Sequence, residues 1–120
     1  MRCLTDSISD VNIGLMSIII ECVLLTTAAC HQAKANIESA VKTINYNKIT
    51  KIYVLGPEAW KAARSRSISA FSYPDGRVAL NADWALTAGS SDLTHTLRHE
   101  NGHLLCQCSD ETMAERAAGY

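Results

Sequence analysis

At 120 residues the chain has the size of one small domain. With 48% hydrophobic and 19% charged residues it can bury a modest core and is not a disordered tail. Eleven Lys+Arg against twelve Asp+Glu leave a formal net charge of -1, and no basic run or stripe supplies the electrostatic footprint of a nucleic-acid binder.

Residues 1–30 form an apolar N-terminal segment that admits two readings. The run at 11–30, VNIGLMSIIIECVLLTTAAC, is long enough for an export signal or anchor. Its end, small residues before Cys30, resembles a lipoprotein signal, in which that Cys becomes lipidated. Against this, only Arg2 precedes the run as a positive charge, beside Asp6 and Asp10, and Glu21 inside it costs about 2.5–3.5 kcal/mol on insertion. The other reading is a buried helix. Asp10, Gly14, Ser17 and Glu21 fall at i, i+4, i+7 and i+11, a narrow polar stripe. A single helix over 10–45 would be about 54 Å long, so a break is expected near 26–31. Exported and cytoplasmic locations both stay open, and a membrane enters only if the segment is an anchor.

Residues 31–120 carry mixed patterning. Over 36–45, Ile37, Ala40, Val41 and Ile44 share one helical face, with Glu38 and Lys42 paired at i+4 on the other. Residues 51–55, KIYVL, are β-rich and stop at Gly56-Pro57, a strand ending in a turn. Residues 58–64 predict two helical turns. Runs at 68–73 and 77–81 flank Pro74-Asp75-Gly76, which predicts a hairpin. Helices are predicted over 93–105 and 110–118, the last with Ser109 as N-cap. The order implies an α+β layer arrangement.

The chemistry concentrates in Arg98-His99-Glu100-Asn101-Gly102-His103. Side chains at i and i+4 stand one above the other on a helix, so His99 and His103 can converge on one divalent ion. Glu100, one step round, lies beside the ion, where it can accept a proton from a water that zinc has acidified towards pH 7. Gly102 costs about 1 kcal/mol inside a helix relative to Ala, and close approach of that helix to the sheet would be sufficient reason for it.

A catalytic zinc needs a third protein ligand and one open position. If the chain turns at 107–109, the last helix runs antiparallel to the histidine helix, with Glu111 opposite His103 and Glu115 opposite His99. The economical assignment makes Glu111 the third ligand and Glu115 the acceptor for the outer N–H of His99. Glu115 on the metal is the main variant and Asp110 a lesser one. The plainer alternative is that Asp110 and Glu111 only complement a helix N-terminus.

His99-Glu100-Asn101-Gly102-His103 followed by Glu111-Thr112-Met113-Ala114-Glu115 resembles the zincin metallopeptidases, in particular the gluzincin branch. There HExxH is followed by a helix carrying E-x-x-[AS]-[DE], whose first Glu is the third zinc ligand. The HExGHLL string is also similar to small ImmA/IrrE-type peptidases. The interval from His103 to Glu111 is shorter than in typical gluzincins, and the metzincin third histidine is absent, Ser109 standing in its place. The resemblance implies a minimal zincin-like domain at 31–120, its helix, small sheet and active-site helix mapping to 36–118. It implies one Zn2+ per chain and hydrolysis of peptide bonds in a peptide or protein substrate.

A rival of another class uses the cysteines. His99, His103, Cys106 and Cys108 form an H-x3-H-x2-C-x-C set, which would close the coordination sphere into a structural Cys2His2 zinc in a non-catalytic binding module. Otherwise Cys106 and Cys108 read as small buried or free thiols, too close in sequence for an unstrained disulfide, and free thiols favour a reducing compartment. His95, at i-4 from His99, is expected to be solvated. As transition-state donors, Tyr73, Tyr120 and His95 rank equally. A substrate strand is expected beside residues 77–81.

Overall fold

The computed structural model describes residues 4–13 and 16–120, with side chains from residue 18 onward. The chain runs β1 (Leu4–Ile13), β2 (Met16–Thr26), α1 (Thr27–Val41), β3 (Lys51–Leu55), α2 (Pro57–Ala63), β4 (Ala70–Ser72), β5 (Arg77–Asn81), α3 (Ala82–Thr87), α4 (Ser90–Cys106) and α5 (Glu111–Ala117). The strands form one mixed sheet in the order β1-β2-β3-β5-β4. β2, β3 and β5 run parallel, and the outer strands β1 and β4 are antiparallel to their neighbours. The fold is α+β.

Alternation along the parallel strands decides which face is covered. Ile20, Ile52 and Val78 lie in register, as do Cys22, Val54 and Leu80 in the next inward row, and all six are fully buried. Against them pack Ile37 and Val41 of α1, Ala82 and Ala85 of α3, and Leu93 and Leu97 of α4. Each large aliphatic side chain so buried contributes about 1.5–3 kcal/mol. The opposite face carries Glu21 and Lys51, which form an ion pair at 3.0 Å.

The N-terminal segment departs from the expected helix. Over Met16–Thr26 it is a strand between β1 and β3, and only at Thr27 does a helix begin. The Thr26 side chain caps that helix, accepting from the Ala29 N–H at 3.3 Å. Continuous apolar residues suit a strand covered on both edges as well as a buried helix, and the β-branched run Ile18-Ile19-Ile20 favours the strand. Cys30, the lipidated residue in the anchor reading, is buried and disulfide-bonded to Cys22. Gly14 of the expected polar stripe lies outside the described residues. Among the described residues no helix is long and apolar enough to cross a membrane.

Further along, the predicted strand at 51–55 and the hairpin form, although β4 keeps only three residues. β5 lies inside the sheet between β3 and β4, so it has no free edge for a substrate strand. On this side of the sheet the edge strand is β4. Helix α3 was not anticipated. Asn81 starts it, its side chain accepting from the Asp83 N–H at 3.2 Å.

Candidate metal centre

Helix α4 places the motif by its two faces. Leu93, Leu97, Glu100 and Asn101 fall at i, i+4, i+7 and i+8 and are all buried. His95, His99 and His103 follow one another at i+4 along the adjacent face and border a cleft of about 1360 Å³ that also reaches Phe71, Ser72 and Tyr73. Asn101 ties the helix to the loop before β3: its Oδ1 accepts from the Lys48 N–H at 2.7 Å, and its Nδ2 donates to the Tyr46 carbonyl at 3.4 Å.

Helix α5 returns across this face, and Gly102 sets how closely. A Cβ at Gly102 would collide with the carbonyl oxygen of Ala114. The glycine therefore serves the contact between α4 and α5, not the approach of α4 to the sheet. Asp110, not Ser109, caps α5, its Oδ1 accepting from the Met113 N–H at 2.8 Å. That gives Asp110 the helix-capping role.

The structure brings His99, Glu100, His103, Glu111 and Glu115 together. Glu111 Oε2 lies 2.7 Å from His99 Nε2 and Oε1 lies 3.0 Å from His103 Nε2. The two imidazole rings stand nearly perpendicular, 4.8 Å apart. Ligand atoms of His99, Glu100 and His103 also lie within 4.8 Å of one another. Geometry alone thus offers two carboxylates. Glu111 is the one that meets both Nε2 atoms, while Glu100 is buried at the side.

The outer imidazole atoms have neighbours too. His103 Nδ1 is 2.9 Å from the Cys108 carbonyl, and His99 Nδ1 is 3.4 Å from Glu115 Oε2. Glu115 Oε1 is 2.8 Å from His95 Nε2. His95 is therefore not simply solvated: its ring is also stacked on Tyr120 at 4.1 Å. Its Nε2 and one ring face are thus engaged, and that nitrogen is not free to serve a developing oxyanion. Of the other two expected donors, Tyr73 borders the cleft and Tyr120 does not.

The titratable groups respond to this crowding. Burial raises the Glu100 pKa above the ordinary carboxylate value, against the pull of His103 and His99 and a hydrogen bond with Ser72. Burial disfavours the charged His99 ring, but the adjacent Glu111 and Glu115 carboxylates outweigh it and its pKa is raised. His95 holds Glu115 below the ordinary range.

The lone pairs of this set suit a cation. A carbonyl only accepts, so the contact with Cys108 puts a proton on His103 Nδ1. In a neutral ring Nε2 is then a bare lone pair, yet it faces a carboxylate oxygen at 3.0 Å. A second ring proton or a cation reconciles two acceptors placed so. Glu115 Oε2 is in addition buried without a hydrogen-bond partner beside His99. Two imidazole nitrogens and one carboxylate around a common point, with the rings held from behind, fit a divalent ion of zinc's ligand preference.

Cys106 and Cys108 are joined to each other as a disulfide, so the expectation of small buried or free thiols is corrected. Neither has a thiolate to offer, and the Cys2His2 set is not formed. The four cysteines among the described residues are paired, which removes the argument from free thiols for a reducing compartment; Cys3 lies outside those residues. Sequence reasoning missed the Cys108 carbonyl and the partnership of His95 with Glu115. The first leaves no side-chain signal, whereas the second is announced by the i-4 spacing of His95 from His99. Comparisons of the chain with protein-family models, with curated proteins and with solved structures each give no match.

Proposed function

We propose that this chain is a zinc-dependent hydrolase, a minimal zincin-like metallopeptidase acting on a peptide or protein substrate. In this reading His99, His103 and Glu111 hold one zinc ion per chain and Glu100 is the general base. The observation that carries it is the meeting of His99 Nε2 and His103 Nε2 at a single carboxylate, Glu111, with a second carboxylate buried alongside.

When bound, zinc supplies a Lewis acid and lowers the pKa of water towards about 7. Glu100 takes the proton from the attacking water on its carboxylate oxygen and returns it to the leaving amine. Burial pushes its pKa up from the ordinary carboxylate value, the direction that favours returning the proton. His103 is kept in the tautomer that leaves Nε2 free by its bond to the Cys108 carbonyl. The β4 edge beside the cleft offers main-chain groups to an extended substrate.

The test is Glu100→Gln, assayed for zinc content and for hydrolysis of a fluorogenic casein. Retained zinc with abolished hydrolysis is expected. Lost zinc would move Glu100 into the ligand set, and undiminished hydrolysis would remove it from the reaction.

A further inference from the structure

His95 belongs to no ligand set, since one helical turn separates it from His99 and about 12 Å of helix from His103. Its surroundings are nevertheless built. Its Nε2 is 2.8 Å from Glu115 Oε1. The other oxygen of that carboxylate is the buried one without a hydrogen bond, 3.4 Å from His99 Nδ1. The His95 ring lies flat on Tyr120, 6° from parallel. Gly119 turns the chain at φ +93° into Tyr120, which is held by two contacts: its N–H donates to the Glu115 carbonyl at 2.9 Å, and the Arg98 guanidinium lies 4.9 Å from its ring.

We infer that His95 is a positioning residue for the proposed zinc site, acting through Glu115 on His99. The inference rests on that reading of the site. A glutamate has three rotatable side-chain bonds, and an exposed one samples many rotamers. The His95 N–H fixes one oxygen of Glu115, and a carboxylate so fixed has its second oxygen directed at the outer nitrogen of His99. Once a metal takes the Nε2 lone pair, the ring proton of His99 sits on Nδ1, facing that oxygen. Tyr120 covers the His95 ring and limits its rotation. The chain of contacts His95–Glu115–His99 is thus one turn longer than the E-x-x-A-E pattern alone indicates.

Two substitutions separate the hydrogen bond from the packing. His95→Phe keeps a flat ring against Tyr120 and loses the N–H, while His95→Gln keeps an N–H donor and loses the ring. Zinc affinity, read by competition with a chromophoric chelator, should weaken about tenfold in His95→Phe, the lower end of losses seen when support behind a metal ligand is removed. His95→Gln should restore most of it. In a Glu115→Ala background, His95→Phe should cause no further loss, because the path is already cut.

Circular dichroism checks folding, and if His95→Phe is unfolded, His95→Ala takes its place with the same expected loss. Native-like zinc affinity in the folded Phe or Ala variant overturns the inference and leaves the zinc site standing. An equal loss in the Glu115→Ala background overturns it too. A native chain that binds no zinc removes the site and the inference together.

Discussion

Gly102 sits against the carbonyl of Ala114, so close that a methyl group at Gly102 would overlap that oxygen. Two helices can pass at this distance only where one presents bare backbone. Gly102→Ala should gain up to about 1 kcal/mol in helix propensity and lose more by forcing α5 outward. As Glu111 and Glu115 ride on α5, zinc affinity should fall with the melting temperature. Chelator competition and thermal melts check this. A more stable variant with unchanged affinity would show the contact to be yielding.

The ligand assignment predicts an order of losses. His99→Ala, His103→Ala and Glu111→Ala should each lose most of the bound zinc, while Glu115→Ala should weaken it by about 10–100-fold. Replacing both Cys106 and Cys108 by Ser should cost little zinc directly, since neither offers a thiolate. X-ray absorption reads the same point, because Zn–S near 2.3 Å is distinct from Zn–N or Zn–O at about 2.0–2.2 Å. Sulfur in the shell would overturn the assignment.

The metal-free protein should become less stable as pH rises through neutrality. The His99 pKa is raised above 6.5 by carboxylates that outweigh its burial, so its contribution is complete below 6.5 and is lost as pH climbs through the folded value. Buried Glu100, raised above 4.5, acts in the same sense, since the folded state keeps a proton that the unfolded state has released. Glu115 is lowered by His95; its contribution is present above 4.5 and fades as pH falls through its folded value. The melting temperature in a chelator should therefore decline between about pH 6 and 8. With zinc the slope should reverse, because binding requires unprotonated imidazoles.

Residues 1–30 bear on the fold through β2. A fragment of residues 31–120 lacks the strand that pairs with β3 and both cysteines of the Cys22–Cys30 bond. It should fail to fold, as read by circular dichroism and solubility. In the full chain, Ile20→Ala should cost about 2–5 kcal/mol and loss of the Cys22–Cys30 bond about 2–3 kcal/mol. A soluble, zinc-binding 31–120 fragment would show the segment to be dispensable.

Local chemistry was readable where residue type alone decides it. Gly56-Pro57 ended a strand and Pro74-Asp75-Gly76 made a turn because those residues restrict the backbone by themselves. The convergence of His99 with His103 follows from the pitch of a helix. Residues 16–26 were not readable, since apolar Ile19, Val23 and Leu24 stand outside the core between the buried residues and leave no period to betray the strand. The pairing of Cys106 with Cys108, and the reason for Gly102, depend on how the chain turns after α4. No spacing rule states that the partner of Gly102 is Ala114.

The brevity of β4 limits how a substrate can be held. Ser69 and Tyr73 bond to Asn81 and Arg77 of the β5 strand, so by alternation Ala70 and Ser72 turn their main-chain groups outward. The Ala70 N–H is already given to the Ser67 hydroxyl at 3.2 Å. Three groups remain: the carbonyl of Ala70 and the N–H and carbonyl of Ser72. At about 1 kcal/mol each they fall short of the roughly 4–15 kcal/mol that association costs in lost motion. A peptide backbone laid there would dissociate unless its side chains found their own seats in the cleft. For the proposed peptidase, short, featureless peptides should therefore be poor substrates, and selectivity should be written in the residues flanking the scissile bond.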